Sequence, residues 1–264
     1  MKACIFQLYA PLVSWGEIAV GGTRRSALHP SRSAILGIIA SAIGVKREAE
    51  GDLDKLTQCI SIAVRVDAPG TLLTDYHTIQ VPKRQRGVVY LTRKDEMDAS
   101  PEKIGTILST REYRCDAYSL AAICLRDDIM TLKQIVESLQ HPVFHIYLGR
   151  KSAPPALPLH PQIVEANNLV EAFSRAEFPT CLPVDAGASQ WRINSFRQYS
   201  QKVLHGMQRH YYWEAGMTSG IKPLHKTKPY DDPISRRRWQ FRMRDEYMAI
   251  ESTPESHEED TNVH

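Results

Sequence analysis

Residues Gly21 to Val45 read GGTRRSALHPSRSAILGIIASAIGV, and the second half of that stretch sets the fold. Ile35, Ile38, Ile39, Ala42 and Ile43 recur at i, i+3, i+4, i+7 and i+8, the apolar stripe of one helical face. Ser31 stands where it caps such a helix and Gly44 where it stops it, which predicts a helix over 31–43. On its N-terminal side, Lys2 to Tyr9 alternate, with Cys4, Phe6 and Leu8 on one face of a strand. On its C-terminal side, ISIAVRVD places Ile60, Ile62, Val64 and Val66 on one face of a half-buried strand, after a short helix through Leu56 capped by Asp52.

The same order then repeats. AYSLAAICL, Ala117 to Leu125, reads as a strand. Thr131 caps a helix carrying Leu132, Ile135, Val136 and Leu139. VFHIYLG, Val143 to Gly149, reads as a fourth strand. The expected class is therefore α+β, a ferredoxin-like or RNA-recognition-like βαββαβ domain. Unrelated proteins share that fold, so function has to be argued from a site.

Between the two halves, residues 71–115 form a long insertion with no core pattern of its own, a kind of segment that is often functional. It carries Lys83, Arg84, Arg86, Arg93 and Lys94, with no acid from Gln80 to Lys94. Gly87 is placed to turn a hairpin whose second arm is VVYLT. The bland alternative is a solvated hairpin that only keeps the protein soluble. APPALPLHP reads as a proline-rich linker. The expected organisation is an RNA-recognition-like domain over 1–153, a small β-rich module over 154–250 and an acidic disordered tail over 251–264. In the module, NNLVEAFSRAEF reads as a short helix, and QWRINSFRQYS, RHYYWEAGM and RRRWQFRMRDEYMAI read as strands. In the last, Trp239, Phe241 and Met243 are expected to pack while Gln240, Arg242 and Arg244 face outward.

The 264 residues carry a formal charge of +3. That value hides a basic body behind the acidic ESTPESHEEDTNVH tail, and a basic body points to a polyanion. No run is long and apolar enough to span a membrane, and the N-terminus lacks the long apolar region of a signal peptide. The five cysteines are widely spaced without a C-x-x-C pair, the pattern of reduced thiols in a cytoplasmic protein. No phosphate-binding P-loop, dinucleotide fingerprint or nucleophile elbow occurs. Asp127-Asp128 and Asp231-Asp232 read as turns rather than metal ligands. No cofactor and no metal are expected. Metal-free RNA cleavage requires a base, an acid and a cation; Tyr76, His77, His145 and Lys151 are the candidates for it.

A binding role draws on more of the chain. Arg24, Arg25, His29 and Arg32 precede a helix N-terminus, which offers unpaired N–H groups and positive partial charge to a phosphate. Cations there cost stability unless something negative is present. Arg111, Tyr113 and Arg114 precede the third main strand. Tyr147, Gly149, Arg150 and Lys151 close the fourth, where a glycine permits close backbone approach to a ligand. Aromatics beside cations suit single-stranded RNA.

Four segments in this order, GGTRRSALHPSRSAILGIIASAIGVKRE, DYHT at Asp75–Thr78, REYRCDA at Arg111–Ala117 and YLGRKSAPP at Tyr147–Pro155, resemble the CasD (Cas-five) family of type I-E CRISPR Cascade complexes. SRRRWQF at Ser235–Phe241 resembles that family's closing strand. The segment from Phe178 to Asp232 departs from the family pattern and is enlarged. The resemblance implies a fold with a β-hairpin thumb, here 78–110. It implies a subunit that caps the 5′ handle of the CRISPR RNA (crRNA), touches the backbone subunit CasC, the large subunit CasA and other Cascade subunits, meets target DNA only indirectly and has no membrane partner. It also implies a non-catalytic role, because CasE cuts the handle in type I-E systems. In a related subtype the equivalent subunit is itself the processing nuclease, using Tyr, Lys and His. Carried onto this chain, Arg24, Arg25, His29 and Arg32 would hold handle phosphates and Arg111 and Tyr113 would lie at the thumb base. Tyr76, His77, Tyr147, Gly149, Arg150 and Lys151 would contact the handle. Lys83, Arg84 and Arg86 would meet RNA or CasC. An endoribonuclease acting on the CRISPR repeat, and an RNA-binding domain unrelated to CRISPR, are the alternatives.

Overall fold

A computed structural model of the protein describes residues 1–19, 21–178 and 208–252. In chain order the elements are β1 (Lys2–Val13), β2 (Thr23–Arg24), α1 (Arg32–Ile43), α2 (Glu50–Cys59), β3 (Ile60–Ala68), β4 (Thr71–Pro82), α3 (Arg93–Met97), β5 (Ile104–Leu125) and α4 (Leu132–Gln140). There follow β6 (Gln162–Glu165), α5 (Leu169–Arg175), β7 (Gln208–Glu214), β8 (His225–Thr227), β9 (Asp232–Ser235), β10 (Gln240–Arg242) and β11 (Glu246–Ser252). Among the described residues, nine strands form one sheet whose main path is β6-β1-β5-β3-β7-β11-β8. Its first four members stand in the fourth-first-third-second order of a ferredoxin-like βαββαβ unit, all antiparallel. The β-rich C-terminal portion carries that sheet onward from β3 through β7 and β11.

Local chemistry explains the two main helices. The Ser31 hydroxyl accepts the Ala34 N–H at the start of α1, and Gly44 ends it in the left-handed region with its N–H on the Ala40 carbonyl. Thr131 and Gln134 form a reciprocal capping box on α4. α2 begins earlier than expected, at Glu50, with Ala49 as its cap, and Asp52 lies in its first turn.

The fourth strand is β6, not residues 143–149. Those residues form a loop whose backbone is satisfied elsewhere. The Val143 and Phe144 N–H groups donate to the Ala42 and Ser41 carbonyls at the end of α1, both at 3.0 Å, which serves carbonyls a helix end leaves unpaired. Only Leu148 of this loop is fully buried.

β3 is buried along its whole length rather than half-buried. Ile60, Ile62, Val64 and Val66 meet α1, α2 and α4 in one core, while Ala63 and Ala68 join a second core with Phe173, Tyr211 and Trp213. On that second face Arg65 and Asp67 are buried as a pair at 2.7 Å, and Arg65 also donates to the Phe173 carbonyl.

The insertion is a long antiparallel hairpin of β4 and the first half of β5, in register from Thr71↔Cys115 to Pro82↔Ile104. VVYLT is therefore not its second arm; Gly87, at φ +80°, turns near the tip, and Thr92 caps the short α3. In the C-terminal part, β7 and β11 confirm two expected strands, and α5 confirms the short helix. QWRINSFRQYS lies outside the described residues. The alternation expected over 239–244 holds in part: Gln240 and Arg242 are exposed and Phe241 is half-buried, but Trp239 and Met243 are exposed and Arg244 is drawn inward by Asp231 and Glu246 at 2.7 and 2.5 Å.

Candidate nucleic-acid interface

Three segments converge beside the base of the hairpin. The chain between β1 and α1 is stitched to β5 rather than loose. β2 runs parallel to β5, with Arg24 opposite Arg111. The Glu112 carboxylate accepts the Ser26 N–H at 3.0 Å, the Glu112 carbonyl accepts the Ser14 hydroxyl, and the Ser26 hydroxyl accepts the Trp15 N–H. Gly22 is required for this packing, because a Cβ there would lie 2.9 Å from the Leu108 carbonyl oxygen. The third segment, around Gly149, packs on Ser14: the Ser14 N–H donates to Leu148 at 3.1 Å.

The result is a cleft of about 360 Å³ lined by Arg24, Arg25, Arg111, Arg150, Gly149 and Glu17, among others. It gathers cations from three stretches far apart in sequence. Arg24 donates to the Gly21 carbonyl at 2.5 Å and Arg150 to the Arg24 carbonyl at 3.4 Å. Among the described residues, no ion pair with a carboxylate involves any of these four arginines, and Glu17 is the one acid on the cleft wall. Four unneutralised guanidiniums sharing a concave surface repel one another and attract an anion with several oxygens.

Arg150 is held in place by Tyr113. Its guanidinium lies 4.5 Å above the ring, a cation–π arrangement. The hydrogen bond from Arg150 pulls the Tyr113 hydroxyl below the usual phenol range, outweighing the effect of burial. Tyr113 is itself buried, so it supports Arg150 rather than offering a free ring. Gly149 has φ +92°, and a Cβ there would sit 1.7 Å from the Ser14 carbonyl oxygen. The close approach that requires glycine is therefore to the protein's own backbone.

Arg32 and His29 face inward. Arg32 is 3 % exposed. Its guanidinium donates to Asp232 at 2.8 Å, to Glu214 and to the Thr57 and Ile60 carbonyls. Its backbone N–H donates to the Asp231 carboxylate at 2.7 Å. The anion expected at the N-terminus of α1 is thus supplied by the chain itself. Arg126 reaches Glu214 at 2.6 Å, Arg242 reaches Asp232 at 2.6 Å and Arg244 reaches Asp231, so the buried carboxylates are shared. Asp231 and Asp232 are hubs of this network rather than simple turn residues. His29 stacks on Tyr212 at 3.8 Å and places Nε2 3.6 Å from Glu246.

The other expected residues lie apart from the cleft wall. Lys151 is exposed beside Arg150, and Tyr147 is partly exposed. Tyr76 is exposed on β4, and His77 is tied to Asp75 on the same strand. Lys83, Arg84 and Arg86 are exposed beyond the end of β4. That end pairs with Ile104, seven residues along β5 from Arg111, or about 23 Å at strand spacing. Among the described residues, no hydrogen bond or ion pair joins Tyr76 or His77 to His145 or Lys151, and no group of three or more His, Cys, Asp or Glu is placed to hold a metal. No helix among them is long and apolar enough to cross a membrane. Sequence reasoning missed Glu17 and the Asp231–Asp232–Glu214 hubs. The signal for the hubs was present as adjacent aspartates followed by five arginines before Asp245.

Comparison with known proteins gives this geometry a family. A model described as CRISPR-associated protein (Cas_Cas5) matches residues 4–247. The chain belongs to the Cas5 family of CRISPR-associated proteins. It is CasD-like: it is 29 % identical over 174 residues, 66 % of this chain and 76 % of the relative, to the CRISPR system Cascade subunit CasD of Escherichia coli (strain K12). A solved chain described as a CRISPR RNA-guided surveillance complex is similar with a TM-score of 0.61 at 25 % identity, over 95 % of this chain and 90 % of that one. A second structure, described as a Cas protein, shares the fold with a TM-score of 0.51 at 20 % identity, over 95 % and 94 % of the two chains.

Proposed function

We propose that this Cas5-family protein is a non-catalytic subunit of a type I-E CRISPR RNA-guided surveillance complex that holds the 5′ handle of the crRNA in its arginine cleft. The observation that carries the reading is the convergence of Arg24, Arg25, Arg111 and Arg150 without an ion-pair partner among the described residues. Kinship with a Cascade subunit and likeness to a chain described as a CRISPR RNA-guided surveillance complex support RNA as the anion. Lys151, beside Arg150, extends the positive surface. Arg32 and His29 brace the loop from below. Gly149 keeps the Ser14 contact, and Tyr113 orients Arg150.

The hairpin is the assembly element in this reading. Leu72, Tyr76 and Leu108 are exposed on one face of it and Leu73 and Ile107 on the other, apolar side chains that a protein partner gripping the hairpin would cover. That partner is the backbone subunit CasC, with Lys83, Arg84 and Arg86 at the far end reaching CasC or its RNA. Contact with the large subunit CasA completes the placement at one end of the complex, and target DNA is met only through the assembled complex.

The test mixes full-length protein with labelled CRISPR repeat RNA in EDTA, read on native and denaturing gels across a salt series. The expected result is a shifted, intact RNA with a salt slope of about 2.8 if all four cleft arginines meet phosphates, at about 0.7 each. A discrete cut in EDTA that disappears in Tyr76→Phe or His77→Ala would make the protein a processing nuclease instead.

A further inference from the structure

The hairpin β9–β10 is separate from the nine-stranded sheet and from the cleft. Its tip is the turn Arg236-Arg237-Arg238-Trp239, and from Pro233 to Arg244 the sequence holds five arginines and no acid. Three of the five are occupied. Arg242 and Arg244 pair with Asp232 and Asp231, and Arg236 donates to the Ser33 carbonyl at 2.5 Å. The exposed Arg237 and Arg238 meet no carboxylate among the described residues.

Trp239 is the unusual member. It is 64 % exposed and has φ +53°, a conformation that bulky residues rarely adopt. Such strain persists where the surrounding structure enforces it and is associated with binding sites. Arg47, which follows α1, packs against this turn. Its guanidinium lies 4.1 Å from the indole centroid, and its Nε donates to the Arg236 carbonyl at 3.3 Å. Phe241 flanks the indole at 6.5 Å. Nearby acids are partly engaged: Glu50 accepts the Ser235 hydroxyl and Asp52 pairs with Lys55 at 3.8 Å. Glu48 and Asp54 are the acids of this segment set against Lys46, Arg47, Arg237 and Arg238.

We propose that this hairpin tip is a second nucleic-acid contact, distinct from the cleft, in which Trp239 stacks on one base of a single-stranded segment and Arg237 and Arg238 pair with the flanking phosphates. An indole backed by a guanidinium and edged by free cations is the arrangement that single strands use, because every base has a stackable face. An acidic protein surface would use the same arginines and indole, and is the outcome that the experiment separates from RNA. A duplex keeps its bases stacked on each other and leaves Trp239 without a partner.

The test uses the full chain and a short fluorescent oligouridylate, with Trp239→Ala, Trp239→Phe, the Arg237→Ala/Arg238→Ala pair and the Arg24→Ala/Arg25→Ala pair, each checked by thermal melt. Trp239→Ala is expected to weaken binding about tenfold through loss of one stacked base. Trp239→Phe is expected to recover most of that loss, because a ring is restored. The hairpin arginine pair is expected to lower the salt slope by about 1.4. Ultraviolet cross-linking is expected to label the peptide containing Trp239 even in the Arg24→Ala/Arg25→Ala protein. Folded hairpin variants with unchanged affinity, unchanged slope and no cross-link overturn the proposal and leave an acidic protein surface as the partner class. In that outcome the cleft reading stands if the Arg24→Ala/Arg25→Ala pair alone weakens binding; a wild type that binds neither oligouridylate nor repeat RNA overturns both.

Discussion

Arg32→Ala separates a structural cation from a ligand-binding one. Arg32 is 3 % exposed and ion-paired with Glu214 and Asp232. Alanine removes its charge and its donors to the Thr57 and Ile60 carbonyls, while Arg126 and Arg242 still hold one oxygen each of Glu214 and Asp232. Breaking a buried pair by deleting one partner costs about 3–5 kcal/mol; the surviving arginines argue for the lower half, about 3–4 kcal/mol. For a chain of this size that is a fall in melting temperature of about 6–16 °C. Arg24→Ala removes an exposed side chain whose bonds are to the Gly21 and Thr23 carbonyls, so its stability cost is within about 0.5 kcal/mol. The assay pairs thermal denaturation with repeat-RNA affinity for both variants. Arg32→Ala should melt early yet bind normally per folded molecule, and Arg24→Ala should melt normally and bind weakly. An Arg32→Ala protein that melts like wild type and has lost RNA affinity would refute the assignment of Arg32 to the interior.

Gly149→Ala places a methyl group against the Ser14 carbonyl oxygen at a positive φ and should cost at least about 2 kcal/mol in chemical denaturation, with loss of RNA binding following from the displaced Arg150. Ser31→Ala deletes the hydroxyl that accepts the Ala34 N–H and should cost about 1 kcal/mol in the same measurement. At Asp232 burial pushes the carboxyl up, but hydrogen bonds from Arg242 and Arg32 outweigh it and hold it below its ordinary value of 3.8. A depressed folded-state value means that the stabilisation is present above pH 3.8 and is lost as pH falls through the lower folded value. The difference in urea midpoint between wild type and Asp232→Asn should therefore be largest near neutrality and shrink in acid; a difference that grows in acid would contradict the ion pairing.

The parts of the fold that were legible in sequence are those whose signals are local. α1 and α4 combine a periodic apolar face with a capping side chain at the right place, and both appear with the expected caps. β6 was invisible because its four residues, QIVE, are too few to show a period, while the longer apolar VFHIYLG looked more like a strand than it is. β3 read as half-buried because Arg65 and Asp67 look solvated in sequence, yet they satisfy each other inside the second core. The hairpin escaped correct pairing for the opposite reason: its arms are largely exposed, so no alternation marks them. The arginines of the cleft were each visible, but their convergence depends on β2 lying on β5 and on the Gly149–Ser14 approach, which are long-range contacts. Arg32 was misplaced because its partners lie about two hundred residues away in sequence and a single chain gives no local sign of them.

The cost of placing cations before a helix N-terminus is met within the molecule, and this bears on how the cleft works. Asp231 neutralises the end of α1, Glu246 stands beside His29 and Asp232 holds Arg32. These fix the C-terminal end of the loop that carries Arg24 and Arg25. Glu112 fixes its start through Ser14 and Ser26. A loop pinned at both ends loses less conformational entropy on binding than a free one, so more of the guanidinium–phosphate attraction is expressed as affinity. Weakening the Glu112 anchor should therefore lower RNA affinity even though no residue of the proposed RNA contact has changed, whereas Arg32→Ala leaves the backbone N–H bond to Asp231 and the His29–Glu246 contact in place at the other end. Glu112→Gln keeps a carbonyl acceptor for the Ser26 N–H and should preserve affinity. Glu112→Ala removes that acceptor and should weaken binding, chiefly by faster dissociation, although it also deletes a negative charge from a cationic surface. An Arg-lined loop that owed its affinity to charge alone would respond the other way, with Glu112→Ala binding more tightly than wild type.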